Sequence, residues 1–187
     1  MEEIRKIIKC CNLCGDKQKQ TDIFMQTGKT NFIIIGESPA KDGWIVSGKS
    51  FYNSQNKLQA SGKILEKLLN NIGLTILNIY FTECCKCIIE DRKELYGCSK
   101  NCFPILKKQL AKIPCNIILT MGVHPTQVLL GSKIQKFGDV VGKEYSITIE
   151  NKEFTLIPIY HPSPLNPKGY KDNIPIFEKF KDVLKLI

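Results

Sequence analysis

Arginine is almost missing from this chain. Of its 27 basic residues only Arg5 and Arg92 are arginines, so a formal net charge of +9 is carried by lysine. Lysine touches phosphate as a diffuse point charge, whereas the arginine fork reads carboxylates and guanine edges in pairs. A chain of this balance suits an anionic partner such as nucleic acid, held along its backbone. Histidine is equally scarce, with His124 and His161 alone. Two histidines and scattered acids do not supply the open site of a metal-dependent nucleotide-processing enzyme. No apolar run reaches membrane-spanning length and the N-terminus lacks a signal-peptide core. The expectation is therefore a cytoplasmic protein that does not engage a membrane. Repeats, low-complexity tracts and internal boundaries are also missing, so residues 1–187 are expected to form one domain and a monomer.

What the chain does contain is a series of short apolar runs alternating with helical patterns. Phe32-Ile33-Ile34-Ile35 reads as a strand over 31–36 and ends in the turn Gly36-Glu37-Ser38-Pro39-Ala40. Ile64, Leu65, Leu68, Leu69 and Ile72 recur at helical spacing, with Gly73 placed as a C-cap. Further strands are predicted over 77–83, 116–121 and 154–160. Helices are predicted from Asn101, from Pro125 and over 174–187, the last burying Ile176, Phe177, Phe180, Val183, Leu184 and Ile187. Residues 137–153 read as a turn or hairpin excursion and 88–100 as irregular. Strand–helix alternation implies βαβ units, hence an α/β fold: a three-layer α/β/α sandwich around a mostly parallel four-stranded sheet. In such sheets ligands bind at the carboxyl ends of the strands. Two of those ends stand out, the acidic turn after Ile35 and His161-Pro162-Ser163-Pro164-Leu165 after the last strand.

Nine cysteines in a reducing compartment are better read as metal ligands or buried thiols than as disulfides. Cys11-x2-Cys14 is a couplet, and Cys87 and Cys102 form a wider pair. Four thiolates from two places in the chain suit a [4Fe–4S] cluster or a structural zinc, and spacing alone does not decide. Cys10 competes with Cys11 for the first position. Cys84, Cys85, Cys98 and Cys115 read as buried thiols.

Gly36-Glu37-Ser38-Pro39-Ala40, Gly48-Lys49-Ser50-Phe51, Lys86-Cys87, Cys102 and His161-Pro162-Ser163, in that order, resemble the uracil-DNA glycosylase superfamily, nearest its iron–sulfur-containing microbial branches. The resemblance implies a [4Fe–4S] cluster on Cys11, Cys14, Cys87 and Cys102. It also implies hydrolysis of the bond between a deaminated base and its sugar in DNA, leaving an abasic site. Such a base must first be flipped from the duplex. Phe51 is then the platform on which the base stacks, with Gly36 and Ser38 lining its pocket. His161 donates to the base oxygen that gains charge as the bond breaks. Asp42 is the expected water-positioning acid, and Glu37 shapes the loop. Leu165 is placed to wedge into the gap left in the duplex, with Ser163, Lys168 and Lys171 on the phosphates.

Glu83 is a departure from the resemblance, standing where the uracil-specific branch has an asparagine. An ionised carboxylate accepts hydrogen bonds and donates none. Glu83 thus suits a base that presents a donor there, or activates water itself; uracil remains the first expected base, with hypoxanthine and xanthine next. With Ser38 in place of the aspartate of one branch, a catalytically inactive iron–sulfur DNA-binding protein is the other reading.

Overall fold

The computed structural model describes residues 2–15, 17 and 25–187; most of the polar link after Cys14 lies outside them. Among the described residues six strands form one sheet, in the order Met25–Gln26 (β1), Tyr80–Glu83 (β3), Phe32–Gly36 (β2), Ile117–Met121 (β4), Lys152–Ile159 (β6) and Tyr145–Ile149 (β5). β2 (Phe32–Gly36), β3 (Tyr80–Glu83), β4 (Ile117–Met121) and β6 (Lys152–Ile159) are parallel neighbours, matching the four expected strands. The sheet is larger than expected because each edge gains an antiparallel strand. β1 (Met25–Gln26) pairs with β3, and β5 (Tyr145–Ile149) makes a hairpin with β6. β2 and β4 are buried along their whole length, as strands covered on both faces must be.

Helices cover both faces. On one side α1 (Glu2–Cys10), α3 (Ala60–Asn70) and α7 (Ile174–Lys179) close over Phe32, Ile34, Leu119 and Ile157. Gly73, with φ +76°, ends α3 by turning left-handed. On the other side α4 (Leu95–Ala111) and α5 (Val123–Leu130) cover Ile33, Ile35, Ile118 and Leu156. The remaining short helices are α2 (Trp44–Ser47) and α6 (Lys168–Lys171). Among the described residues no helix is long and apolar enough to cross a membrane.

Two expected helices are corrected. α4 begins before Asn101, so part of the expected irregular stretch is helical; Asp91, whose carboxylate accepts from the Lys93 amide, starts the preceding turn. The closing helix stops at Lys179, and Val183 and Ile187 are exposed. Backbone pairing wins there: Asn31 N–H donates to the Lys185 carbonyl, and Ile187 N–H to that of Lys29.

Candidate active site

Because β2, β3, β4 and β6 run parallel, their carboxyl ends open on one rim, and a cleft of about 1050 Å³ lies along it. Gly36, Glu37 and Ser38 enter it from β2, Glu83 from β3, Gly122 and His124 from β4, and His161 from β6. The rim gathers the two strand-end loops expected to carry the chemistry.

Phe51 forms one wall. Its ring is buried against Phe81, centroids 4.4 Å apart, and Phe81 leans on Trp44 at 5.4 Å. Its backbone sits at φ +65°, a left-handed conformation that costs a non-glycine residue about 1–3 kcal/mol. Loop 42–59 holds it there: Gln59 N–H donates to the Phe51 carbonyl at 2.7 Å, and Ser50 Oγ pairs with Gln26 Oε1.

Asp42 is not brought to the cleft. Its Oδ1 accepts from the Ser54 amide at 2.9 Å and its carbonyl accepts from Gln59 Nε2 at 2.6 Å, so it braces the loop carrying Phe51. The water-positioning role expected of it has no support in this placement. Glu37 is engaged by Arg92, whose two terminal nitrogens donate to its two oxygens at 2.8 and 3.0 Å. That pair fits the loop-shaping role.

Glu83 reaches into the wall beside Gly36. A side chain at position 36 would place its Cβ 3.1 Å from Glu83 Cγ and 3.2 Å from the Phe81 ring, so glycine makes the room. Glu83 Oε2 is shut off from solvent and finds no hydrogen-bond partner among the described residues. Burial pushes this carboxyl up to about 8; nearby Lys86 pulls the other way and Glu37 reinforces the rise. The Lys86 ammonium donates to Thr82 Oγ1 at 2.9 Å and to the Glu83 carbonyl. Burial thus favours the protonated form of Glu83, which the residue sequence did not disclose. It then carries one donor and one acceptor, not two acceptors.

His161 stands at the cleft mouth, its imidazole lowered from the ordinary value by burial, with Glu37 opposing the shift. The strand end before it is clamped by fully buried Asn173, which accepts from Tyr160 N–H at 2.9 Å and donates to the Tyr160 and Gly169 carbonyls. Gly169 is required because a Cβ there would lie 2.4 Å from the His161 carbonyl oxygen. Ser163 lines the cleft, and Leu165 beside it is 95% exposed. Lys168 and Lys171 lie on α6 beyond the cleft lining; Lys168 Nζ sits 5.5 Å from the Tyr160 ring centre.

His124 is a cleft residue to which the sequence motifs assign no role. It lines the cleft and its Nε2 meets Ser99 Oγ at 2.6 Å. The available signal was position: like His161, it follows closely on the end of a parallel strand.

The thiols form a second, adjacent layer. Cys87, Cys98 and Cys102 are buried, Cys11 and Cys14 half-buried, and Cys10 exposed. Cys14 hydrogen-bonds with Cys98 and accepts from Asn101 Nδ2 at 3.6 Å. Cys102 accepts from the Lys86 backbone N–H and has Cys14 and Cys11 as neighbours. Cys87 directly follows Lys86. Thiols from the start of the chain, the β3 end and α4 thus share one neighbourhood, and an all-sulfur donor set suits an iron–sulfur cluster or a structural zinc. Among the described residues no three His, Cys, Asp or Glu side chains converge on a single ion position. Of the adjacent pair Cys10 and Cys11, Cys11 is an electrostatic neighbour of Cys102, and Cys10 is exposed.

Comparison with known proteins agrees with this geometry. The family described as the Uracil DNA glycosylase superfamily matches residues 24–185. A type-4 uracil-DNA glycosylase of Saccharolobus solfataricus is 30% identical over 194 aligned positions, covering 98% of this chain and 84% of the relative. One of the same name from Archaeoglobus fulgidus is 27% identical over 169, covering 87% and 81%.

Proposed function

The chain belongs to the uracil DNA glycosylase superfamily, and we propose that it hydrolyses the N-glycosidic bond of uracil flipped out of DNA, leaving an abasic site. The observation that carries this reading is the joint placement of Phe51, Glu83 and His161 around one cleft, with an exposed leucine at its lip.

The flipped base stacks on Phe51, whose ring is fixed in advance by Phe81 and by the braced loop. Glu83, as a carboxylic acid, donates to the exocyclic O4 and accepts from N3–H, the two contacts an asparagine amide would make. His161 donates to O2, where negative charge collects as the bond to C1′ breaks; a fixed donor at that point stabilises the departing anion. Leu165 occupies the vacated stack. An apolar side chain this exposed is tolerated where it is to be covered by a partner. Lys168 and Lys171 neutralise flanking phosphates and the Ser163 hydroxyl donates to one, in keeping with a lysine-borne charge of +9.

Cys11, Cys14, Cys87 and Cys102 would hold a [4Fe–4S] cluster beside the cleft. Bound there, the group ties the start of the chain to α4 and to the β3 end that bears Glu83.

The test is cleavage of duplex oligonucleotides carrying a single uracil, hypoxanthine or xanthine, with iron and sulfide analysis of the purified protein. Abasic product from the uracil strand is expected, with iron in stoichiometric amount. Binding without cleavage of any lesion would favour the inactive DNA-binding reading. Zinc in place of iron would remove the cluster.

A further inference from the structure

His124 shares the cleft with Glu37, Glu83 and His161, and a chain of hydrogen bonds behind it fixes which of its nitrogens carries the hydrogen. The chain runs inward from Nε2 to Ser99 Oγ at 2.6 Å, from Ser99 Oγ to Cys85 Sγ at 3.0 Å, and from Cys85 Sγ to the Leu95 carbonyl at 3.8 Å. Ser99 and Cys85 are buried, so no solvent enters the chain.

A carbonyl oxygen only accepts, so the Cys85 thiol hydrogen points to Leu95. Ser99 must then spend its single hydrogen on the Cys85 sulfur. A thiolate at Cys85 would accept from Ser99 in the same direction, so the order does not depend on that proton. Ser99 Oγ is left as the acceptor for His124, and Nε2 carries the hydrogen. In the neutral ring Nδ1 then bears the lone pair.

The neutral ring is favoured. Burial lowers the His124 pKa; Arg92 acts in the same direction and Glu37 opposes. His124 is also the second residue of α5, where the positive end of the helix disfavours a cation. A neutral imidazole with Nδ1 as acceptor cannot bind a phosphate oxygen or a base carbonyl, which have no hydrogen to give. The partner that fits is a donor, and the hydrolysis requires one in this cleft.

We propose that His124 Nδ1 accepts a hydrogen bond from the attacking water and takes its proton. This rests on the glycosylase reading above. The water oxygen bonds to C1′ while the C1′–N bond breaks, its electron pair leaving with the base against His161. The water proton moves to His124, and the imidazolium passes it on to the departing base or to solvent, so nothing is oxidised or reduced. Ser99 is a positioning residue that selects the tautomer. The charged and titratable groups that share the cleft with His124 are Glu37 from the β2 end, Glu83 from the β3 end, Arg92 from the turn before α4, Tyr96 from α4 and His161 from β6. Glu37 supports the imidazolium as it forms.

The experiment is single-turnover cleavage of uracil-containing DNA by the full protein, His124→Gln, His124→Asn and Ser99→Ala across pH 5–9, with melting curves for each. The native enzyme should lose rate at acid pH as His124 protonates. Both His124 variants should be slower by about 10²–10³-fold and lose that acid limb, the scale of one positioned base, with DNA affinity within about twofold. Ser99→Ala should lose about tenfold in rate at unchanged affinity. Nitrogen-15 NMR should find Nδ1 unprotonated in the resting native protein. Native rate and pH profile in a folded His124 variant would overturn the proposal. So would weakened binding with an unchanged cleavage rate, or a proton on Nδ1 in the resting protein. Failure of the native protein itself on every lesion would refute the glycosylase reading instead, and this proposal with it.

Discussion

Replacing Glu83 by glutamine keeps the shape of the side chain and removes its proton-binding site, so it isolates what burial does to that carboxyl. The group's ordinary value is 4.5, against about 8 in the folded protein. Between those values the folded state retains a proton that the unfolded chain gives up. Stability from this group is therefore complete below pH 4.5, declines as pH rises, and is fully lost above about 8. At 1.36 kcal/mol for each pH unit the loss is about 3 kcal/mol at pH 7 and about 5 kcal/mol above pH 8. Glu83→Gln should thus stabilise the protein by about 3 kcal/mol at pH 7 and by almost nothing at pH 4. Urea unfolding at four pH values between 4 and 8.5 measures this directly. Cleavage supplies the second readout. A glutamine amide still offers one donor and one acceptor, so the variant should retain uracil cleavage at pH 7. It should lack the fall in rate that the native enzyme shows as Glu83 ionises near pH 8. A stability difference independent of pH would refute the protonated carboxyl. Abolished uracil cleavage in a folded Glu83→Gln protein would refute its role on the base edge.

Two further perturbations address the lip and the clamp. Leu165→Ala should slow cleavage in duplex DNA by about tenfold and leave single-stranded DNA nearly unaffected, because only a duplex has a gap to fill; equal losses on both would remove the wedge. Asn173→Ala leaves the Tyr160 N–H and carbonyl without their partner, at a cost of about 2–4 kcal/mol in a buried site. The expected result is a lower melting temperature together with slower single-turnover cleavage, as the strand end bearing His161 loosens.

The sheet's parallel centre could be read from sequence because Phe32–Ile35 and Ile117–Leu119 are continuous apolar runs, the mark of strands covered on both faces. Its edges could not. Met25–Gln26 is two residues long, and Tyr145–Ile149 hides its alternation among polar neighbours. Phe51 and His161 were legible through motif order. Asp42 was misplaced because an acid near the first loop looks alike in sequence whether it faces the cleft or, as here, Ser54. The state of Glu83 lay beyond sequence altogether, since the spacing of residues does not report how far water is kept from one oxygen. His124 depended likewise on Ser99 and Cys85, two residues that local pattern does not join to it.

The bidentate pair between Arg92 and Glu37 has a mechanical meaning. Arg92 belongs to the turn that leads from the Lys86-Cys87 segment into α4, while Glu37 belongs to the loop that lines the cleft at the end of β2. Arg92 is 75% exposed, so the latch contributes little to global stability. Its two-point geometry nevertheless transmits orientation, which a lysine at 92 would not. Oxidative damage that reorganises the sulfur-rich layer would thus pull on the Glu37 loop through this latch and through the Cys84 and Cys85 amides, which donate to the Gly36 and Glu37 carbonyls at 3.0 Å. The enzyme would lose its alignment well before it lost its fold.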